Sequence, residues 1–296
     1  MSIEAIKKVL IVGSGTMGLR IGLQAAVCGY DVVLYDNNEE ALSKALVSQQ
    51  RILDRLIRHQ IIDNTRAEAA QKRISITTNK AYAAKNADLV SESVVENVAV
   101  KQAVFAEFAP LFPSHTIITT NTSYLLPSSF SAASGRPELF CALHFHDVFF
   151  ANVVDIMPTK TTAPWVVNLL KDFGKSLQQI PVVLTKEVPG YLYNNMLLAY
   201  LTTAADLYGS GAASIEAIDR SWMGNTKMPM GPFGMFDQVG LDTVWHIISH
   251  RKDEKSVRFT ALLQQYINEG KLGAKTGEGF YTYPKPTYKG KHFLMG

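Results

Sequence analysis

The chain has 296 residues, enough for about two domains, and its 47% hydrophobic and 19% charged content is globular and excludes a disordered chain. Two cysteines, Cys28 and Cys141, cannot build a disulfide framework and point to a reducing, cytoplasmic setting. The net charge of +3 comes with no Lys/Arg cluster, and no apolar run approaches the roughly 18 residues of a membrane span, which excludes a nucleic-acid stripe and a membrane partner.

In chain order, residues 8–12 read as a buried strand, and the glycines after them break the apolar run too early for a signal peptide. Residues 19–28 read as a helix closed by Gly29, and 31–35 as a second strand. Asn37 or Asn38 caps a long amphipathic helix whose apolar positions are Leu42, Ala45, Leu46, Ile52, Leu53, Leu56 and Ile57. A shorter helix over about 65–72 completes a helical arm near 38–73. Strands follow at 74–77, 88–94, 116–119 and 140–145, with helices over 98–109 and 163–173. This alternation predicts an α/β fold, a Rossmann-type doubly wound and mostly parallel sheet with helices on both faces. After 182–184 the strand signals stop, at Glu187-Val188-Pro189-Gly190. Residues 191–207, 214–223, 234–249 and 254–267 read as helices, so a boundary near 186 separates an α/β domain, 1–186, from a smaller all-helical domain, 187–296. Residues 270–283 are Gly-rich and loop-like, and the tail 284–296 reads either as disordered or as reaching a partner chain.

Gly13-Ser14-Gly15-Thr16-Met17-Gly18 is a G-x-G-x-x-G that follows a predicted strand and opens a helix. Gly13 permits the tight turn, Gly15 lets a pyrophosphate reach the backbone, and Gly18 lets helix and strand pack closely. The helix start, with Thr16 and Met17, offers N–H groups and a partial positive charge to the phosphates. Asp36 ends the second strand, 18 residues after Gly18. Its carboxylate suits two ribose hydroxyls and repels a 2′-phosphate, and Asn37 and Asn38 supply no arginine, so the pattern favours NAD over NADP.

Further segments stand in a fixed order: Val94-Val95-Glu96-Asn97 with Lys101, Thr120-Asn121-Thr122-Ser123, Leu143-His144-Phe145, and Val188-Pro189-Gly190-Tyr191 with Asn194. Pro229-Met230-Gly231-Pro232-Phe233, Gly240-Leu241-Asp242-Thr243 and Lys275-Thr276-Gly277-Glu278-Gly279-Phe280-Tyr281 complete the set. Together, from about residue 8 to 283, they resemble the short-chain-length 3-hydroxyacyl-CoA dehydrogenase family, 3-hydroxybutyryl-CoA dehydrogenases included. The resemblance implies two domains, a homodimer formed through the helical one, and an NAD site at which Glu96, Lys101, Ser123 and Lys275 touch or flank the cofactor. Asn121 and Asp147 are counted with them. It also implies that Ser123, His144 and Asn194 surround the reacting carbon, and that a carboxylate forms a dyad with the histidine.

Hydride transfer from a secondary alcohol needs a base for the hydroxyl proton, and histidine suits this because it titrates near neutrality. His144 ends a predicted strand, on the side where open α/β sheets bind ligands. A carboxylate on its far nitrogen would fix the tautomer and stabilise the cation, and Asp155 is the candidate. Ser123 and Asn194 can donate hydrogen bonds to the substrate oxygen.

The sequence departs from the family pattern in three places. Asp155 is one methylene shorter than the family glutamate, about 1.5 Å of reach, and lies one residue closer to the histidine. The family's H-[FP]-F-N-P is His144-Phe145-His146-Asp147-Val148 here, which adds a negative charge at Asp147. His144, His146 and Asp147 also allow a metal reading, set aside because no further ligands with metal spacing accompany them. The family's serine and lysine contacts to CoA fall at Ile52 and His59, so Arg51, Arg55 and Arg58 either serve the CoA phosphates or form a solvated face. The leading expectation is interconversion of short-chain L-3-hydroxyacyl-CoA and 3-oxoacyl-CoA with His144 as general base and acid. The alternatives are a dehydrogenase of a free 3-hydroxy acid or carnitine-like substrate, and a non-catalytic NAD-binding relative.

Overall fold

The computed structural model describes residues 2–149, 151–249 and 252–296. They cluster into two compact units that divide between Tyr191 and Leu192. The first unit contains β1 (Lys8–Val12), α1 (Thr16–Val27), β2 (Asp31–Tyr35), α2 (Glu39–Arg58), α3 (Asn64–Lys72), β3 (Ile74–Thr77) and α4 (Lys80–Ala84). It continues with β4 (Leu89–Glu92), α5 (Val98–Phe108), β5 (Ile117–Thr120), β6 (Phe140–Asp147), β7 (Ala151–Pro158), α6 (Pro164–Ser176) and β8 (Ile180–Val183). Among the described residues the strands form one eight-stranded sheet in the order β3-β2-β1-β4-β5-β6-β7-β8. The first six follow the 3-2-1-4-5-6 order of doubly wound dinucleotide-binding sheets and pair in parallel.

Local chemistry explains the boundaries. The Asn38 carboxamide accepts the Glu40 and Ala41 amides and starts α2, and Asp63 starts α3 in the same way. Leu42, Ala45, Gln49, Leu53 and Leu56 recur every three or four residues and give α2 its buried stripe. β1 is apolar from Val9 to Val12 because helices cover both faces of the sheet at that point.

The sheet contains one strand that hydrophobic patterning did not single out. β7 folds back from β6 as an antiparallel partner, and β8 then runs parallel to β7. Asn152 and Asp155 interrupt its apolar run, so residues 151–158 lack the plain strand signal of their neighbours. Residues 187–191 pack with the first unit: the Tyr191 hydroxyl donates to the Thr122 carbonyl at 2.9 Å, and its side chain is buried with Ala142, Met157 and Leu184.

The second unit holds most of α7 (Tyr191–Gly209), then α8 (Ile215–Thr226), α9 (Pro232–Val239), α10 (Leu241–Ile248) and α11 (Glu254–Asn268). The single helix expected over 234–249 is two, because Gly240 adopts φ +95° and breaks the hydrogen-bond ladder between α9 and α10. The tail is ordered against this unit, with Tyr288 and Phe293 in its core, which overturns the reading of a disordered tail. Two buried aspartates tie loops to helices. Asp219 accepts the Phe233 and Gly234 amides and the Tyr281 hydroxyl, and so caps α9, whose N-cap Gly231 has no side chain to do it. Asp237 accepts the Phe280 and Tyr281 amides, and burial, against those bonds, pushes its carboxyl up to about 6.

Removing the cap leaves buried donors unsatisfied. Asp219→Ala is expected to lower unfolding free energy by about 3 kcal/mol. A urea titration showing a loss under about 1 kcal/mol would refute this account of α9.

Candidate functional site

The glycine loop between β1 and α1 is shaped by what cannot fit there. Gly13 has φ +102°, and a Cβ on it would lie 2.8 Å from the Ser93 carbonyl oxygen. A Cβ on Gly18 would lie 1.9 Å from the Gly13 carbonyl oxygen. Gly15 differs, since a Cβ there meets nothing within 4 Å. α1 starts at this open point with no side-chain cap and no acidic residue in its first turn. An open backbone face plus uncapped N–H groups is the donor set a pyrophosphate needs. Asp36 braces the same loop: its Oδ2 accepts the Ser14 amide and the Ser14 hydroxyl, each at 2.8 Å, and its Oδ1 accepts the Asn38 amide at 3.1 Å. A ribose diol would share this carboxylate with Ser14. These residues fit a dinucleotide.

Behind the loop after β4 lies a buried charge network. Lys101, 1% exposed, donates from Nζ to Glu92 Oε1 at 2.7 Å and lies 3.5 Å from Glu96 Oε2. Glu92 also accepts the Thr120 hydroxyl at 2.6 Å and the Val94 amide at 2.7 Å. Glu96 accepts the Thr122 hydroxyl and the Ser123 and Tyr124 amides. Burial alone would raise the Glu96 carboxyl, but these bonds and the Lys101 charge hold it below the usual carboxylate range. The network thus sets the conformation of the 121–124 turn and presents Ser123, half-buried, at its end. Glu92 was not foreseen. Its signal is a charged residue in a strand whose other positions are buried, with a lysine nine residues later.

On the antiparallel β6/β7 pair, His144 and Asp155 are direct register partners. His144 Nδ1 lies 3.3 Å from Asp155 Oδ2, and both residues are buried. His146 also reaches Asp155, with Nε2 2.7 Å from the same Oδ2. Asp155 is thus shared between His144, its expected partner, and His146, which the sequence offered only in the metal reading. The His144 ring also stacks on Tyr191, centroids 4.5 Å apart and planes 14° apart. Burial lowers the His144 pKa below its ordinary value against the opposing pull of the Asp155 bond, and His146 adds to the lowering. Burial would raise Asp155, but its bonds to the two histidines hold it below the carboxylate norm. The dyad at neutral pH is therefore a neutral imidazole on a carboxylate. The carboxylate only accepts, so His144 carries its proton on Nδ1 and keeps a lone pair on Nε2.

Candidate metal ligands are His144, His146 and Asp155, whose ligand atoms lie within 4.8 Å of one another. Asp147 is not one of them. It pairs with Arg20 of α1 at 2.7 Å and accepts the Phe149 amide, so the negative charge expected at this position is compensated. Asn121 accepts the buried Phe145 amide at 2.8 Å and so links the turn after β5 to β6. In the second unit, Asn194 is half-buried on α7, and Lys275 is bonded to both oxygens of Asp242 at 2.6 Å. On α2, Arg51, Arg55 and Arg58 are all exposed.

Comparison with known proteins agrees with this geometry. The family model for the NAD binding domain of 3-hydroxyacyl-CoA dehydrogenase matches residues 8–188, and the model for that family's C-terminal domain matches 190–283. The mitochondrial hydroxyacyl-coenzyme A dehydrogenase of Sus scrofa is 36% identical over 94% of this chain and 91% of its own length. The 3-hydroxybutyryl-CoA dehydrogenase of Clostridioides difficile is 32% identical over 94% of this chain and 100% of its own. A solved diketoreductase, described as acting on dicarbonyl compounds, superposes with a TM-score of 0.90 at 37% identity, covering 94% of this chain and 99% of its own.

The network behind the 121–124 turn gives a direct test. Lys101→Ala strands the buried Glu92 charge and is expected to cost about 3–5 kcal/mol in urea unfolding. Combining it with Glu92→Gln should recover most of that loss; a double variant no more stable than Lys101→Ala would disprove the pairing.

Proposed function

Because the chain belongs to the 3-hydroxyacyl-CoA dehydrogenase family, we propose that it interconverts short-chain L-3-hydroxyacyl-CoA and 3-oxoacyl-CoA thioesters, 3-hydroxybutyryl-CoA first among them, with His144 as general base and acid. It is an NAD-dependent oxidoreductase acting on CH–OH donors. NAD, when bound, supplies the hydride acceptor. Gly13, Gly15, Gly18 and the α1 N-terminus, with Thr16 and Met17, hold the pyrophosphate, and Asp36 holds the ribose. The observation that carries the mechanism is the buried His144–Asp155 pair at 3.3 Å. Asp155 holds the Nδ1 proton in place, and Nε2 takes the hydroxyl proton as the alcohol is oxidised. The resulting imidazolium is stabilised by the same carboxylate. In reduction the proton returns from Nε2 to the forming alcohol.

Ser123, set by the Glu96 network, donates to the substrate oxygen as its charge changes. The roles that the resemblance gives Asn194, Lys275, Asn121 and Asp147 belong to this proposal and are tested by their alanine variants. A homodimer formed through the helical unit is supported by the apolar side chains α7 exposes, Leu192, Tyr193, Met196 and Leu207. A cytoplasmic location is supported by the free cysteines Cys28 and Cys141. Among the described residues no helix is long and apolar enough to cross a membrane.

A second reading, a substrate without CoA, is favoured by the diketoreductase likeness and by Ile52 and His59 at the positions expected to contact CoA. A panel of acetoacetyl-CoA, acetoacetate, free 3-hydroxy acids and carnitine separates the two. NADH consumption with acetoacetyl-CoA at least about tenfold faster than with the free acids is expected; the reverse order would replace the CoA reading.

His144→Ala should lower kcat by about 10²–10⁴-fold, and unchanged turnover would remove His144 from the mechanism. The pH dependence follows from the lowered His144 pKa. The base must be neutral for alcohol oxidation, and it stays neutral as the pH falls past the ordinary value near 6.5. Oxidation kcat/KM is therefore expected to decline on the acid side with a midpoint below about 6.5, and a midpoint above the ordinary value would contradict this.

A further inference from the structure

We propose that Tyr191 is a positioning residue: its ring sets the plane of the His144 imidazole, and its hydroxyl ties that ring to the turn that carries Ser123. The two rings stack with centroids 4.5 Å apart and planes 14° apart. The Tyr191 hydroxyl donates to the Thr122 carbonyl at 2.9 Å in a buried bond. Thr122 stands next to Ser123, so one side chain reaches both of the groups that face the alcohol in the dehydrogenase reading. A tyrosine suits this task because only two side-chain torsions separate its backbone from its hydroxyl. Tyr191 is fully buried, and it packs with Ala142 on β6, Met157 on β7 and Leu184 beyond β8.

The rest of the site leaves this task open. The bond from His144 Nδ1 to Asp155 is 3.3 Å, at the long end of hydrogen bonding, and it holds one edge of the ring. The torsion that turns an imidazole about its Cβ–Cγ bond has broad minima, so a single edge contact leaves the ring free to twist. A parallel aromatic face removes that freedom, because a twist drives the edge of the imidazole into the phenol. His146 meets the His144 ring edge to face, centroids 4.6 Å apart at 69°, so it does not lie flat on the ring. On the other side, Glu96 fixes the Ser123 and Tyr124 amides and leaves the Thr122 carbonyl to Tyr191. The backbone shows how strictly the phenol is held: Tyr191 has φ +54°, directly after Gly190 at φ +77°. A bulky residue other than glycine keeps this left-handed conformation only where its surroundings over-determine it. Here the stack, the hydroxyl bond and the apolar cluster do that.

The inference rests on the dehydrogenase reading for its kinetic readout and on the ring geometry alone for its spectroscopic one. In the full-length protein, Tyr191→Phe keeps the stack and deletes the hydroxyl, and Tyr191→Leu deletes the ring while keeping apolar bulk. Oxidation kcat should fall by about 3–10-fold in Tyr191→Phe, the worth of one buried hydrogen bond, and by about 10²-fold in Tyr191→Leu, the cost of a misplaced reacting group. Both losses should fall on kcat, with KM and the NADH dissociation constant within about threefold of wild type, because the interaction acts in the transition state. The stacked phenol also shields the carbon-bound imidazole protons of His144, whose resonance is identified by its loss in His144→Ala. At one alkaline pH, where the imidazole is neutral in every variant, that resonance should move downfield in Tyr191→Leu and stay in place in Tyr191→Phe. A Tyr191→Leu kcat within about threefold of that of Tyr191→Phe overturns the inference, because the ring then adds nothing to catalysis. So does a wild-type kcat in Tyr191→Phe, an NADH affinity that falls as far as kcat, or an unmoved resonance in Tyr191→Leu. The expected resonance shifts in a protein that turns over no 3-hydroxy substrate would uphold the placement of the ring and reject the dehydrogenase reading instead.

Discussion

The site is organised around one buried carboxylate on an antiparallel strand pair. Asp155 sits opposite His144 because β7 folds back on β6, and the pairing register brings the two side chains to the same face. A buried anion of this kind persists only with donors at hand, since desolvation otherwise neutralises it. Here the donors are the histidines, and their bonds keep the carboxylate ionised. The His144 bond also fixes that ring's tautomer, with the proton held on Nδ1 and donated to Asp155 and the Nε2 lone pair left for chemistry. Strand register, carboxylate charge and base readiness are therefore one arrangement rather than three.

A parallel logic holds the cofactor side. Lys101 and Glu92 are both withdrawn from water, and each would be costly alone. Paired, they leave Lys101 near Glu96, and Glu96 gathers the amides of the 123–124 turn. The turn that carries Ser123 is thus shaped by a side chain from the neighbouring loop as well as by its own short-range bonds, from the Thr122 amide to the Thr120 hydroxyl and from the Leu125 amide to the Thr122 hydroxyl. The resemblance implies that Lys101 and Glu96 touch or flank the cofactor. The geometry gives them a second function, that of bracing the segment next to it.

Much of this was legible in the sequence because the signals are local. The strand-glycine-helix cradle, the Asn38 cap of α2 and the apolar runs of β1, β2 and β6 each follow from neighbouring residues. Asp155 was identifiable as the partner of His144 only through the resemblance, since 11 residues and a hairpin separate them. What remained hidden depends on pairing across distance. β7 carries Asp155, whose partners lie on β6, so its strand character emerges only with the sheet. Arg20 meets Asp147 across 127 residues, and Glu92 meets Thr120 across 28. The break at Gly240 requires φ +95°, which a hydrophobic pattern running through 234–249 does not register.

The departures from the family pattern also become intelligible as coupled changes. An aspartate in place of a glutamate shortens the side chain, yet a residue directly across the ladder needs less reach, and the contact with His144 persists at 3.3 Å. The adjacent substitutions add His146 and Asp147, and each finds a partner of complementary character: the Asp155 carboxylate for one, the Arg20 guanidinium for the other. Arg20 stands in the second turn of α1, the helix that opens at the glycine cradle, so its pair with Asp147 ties the end of β6 to the element that presents the phosphate-binding backbone. No uncompensated charge results from the three changes. Asp147 finds its partner in Arg20 whatever stands at 146 or 155, whereas His146 depends on the carboxylate at 155. The set as it stands retains a neutral imidazole backed by an anion, which is the part of the arrangement that proton transfer to and from an alcohol requires.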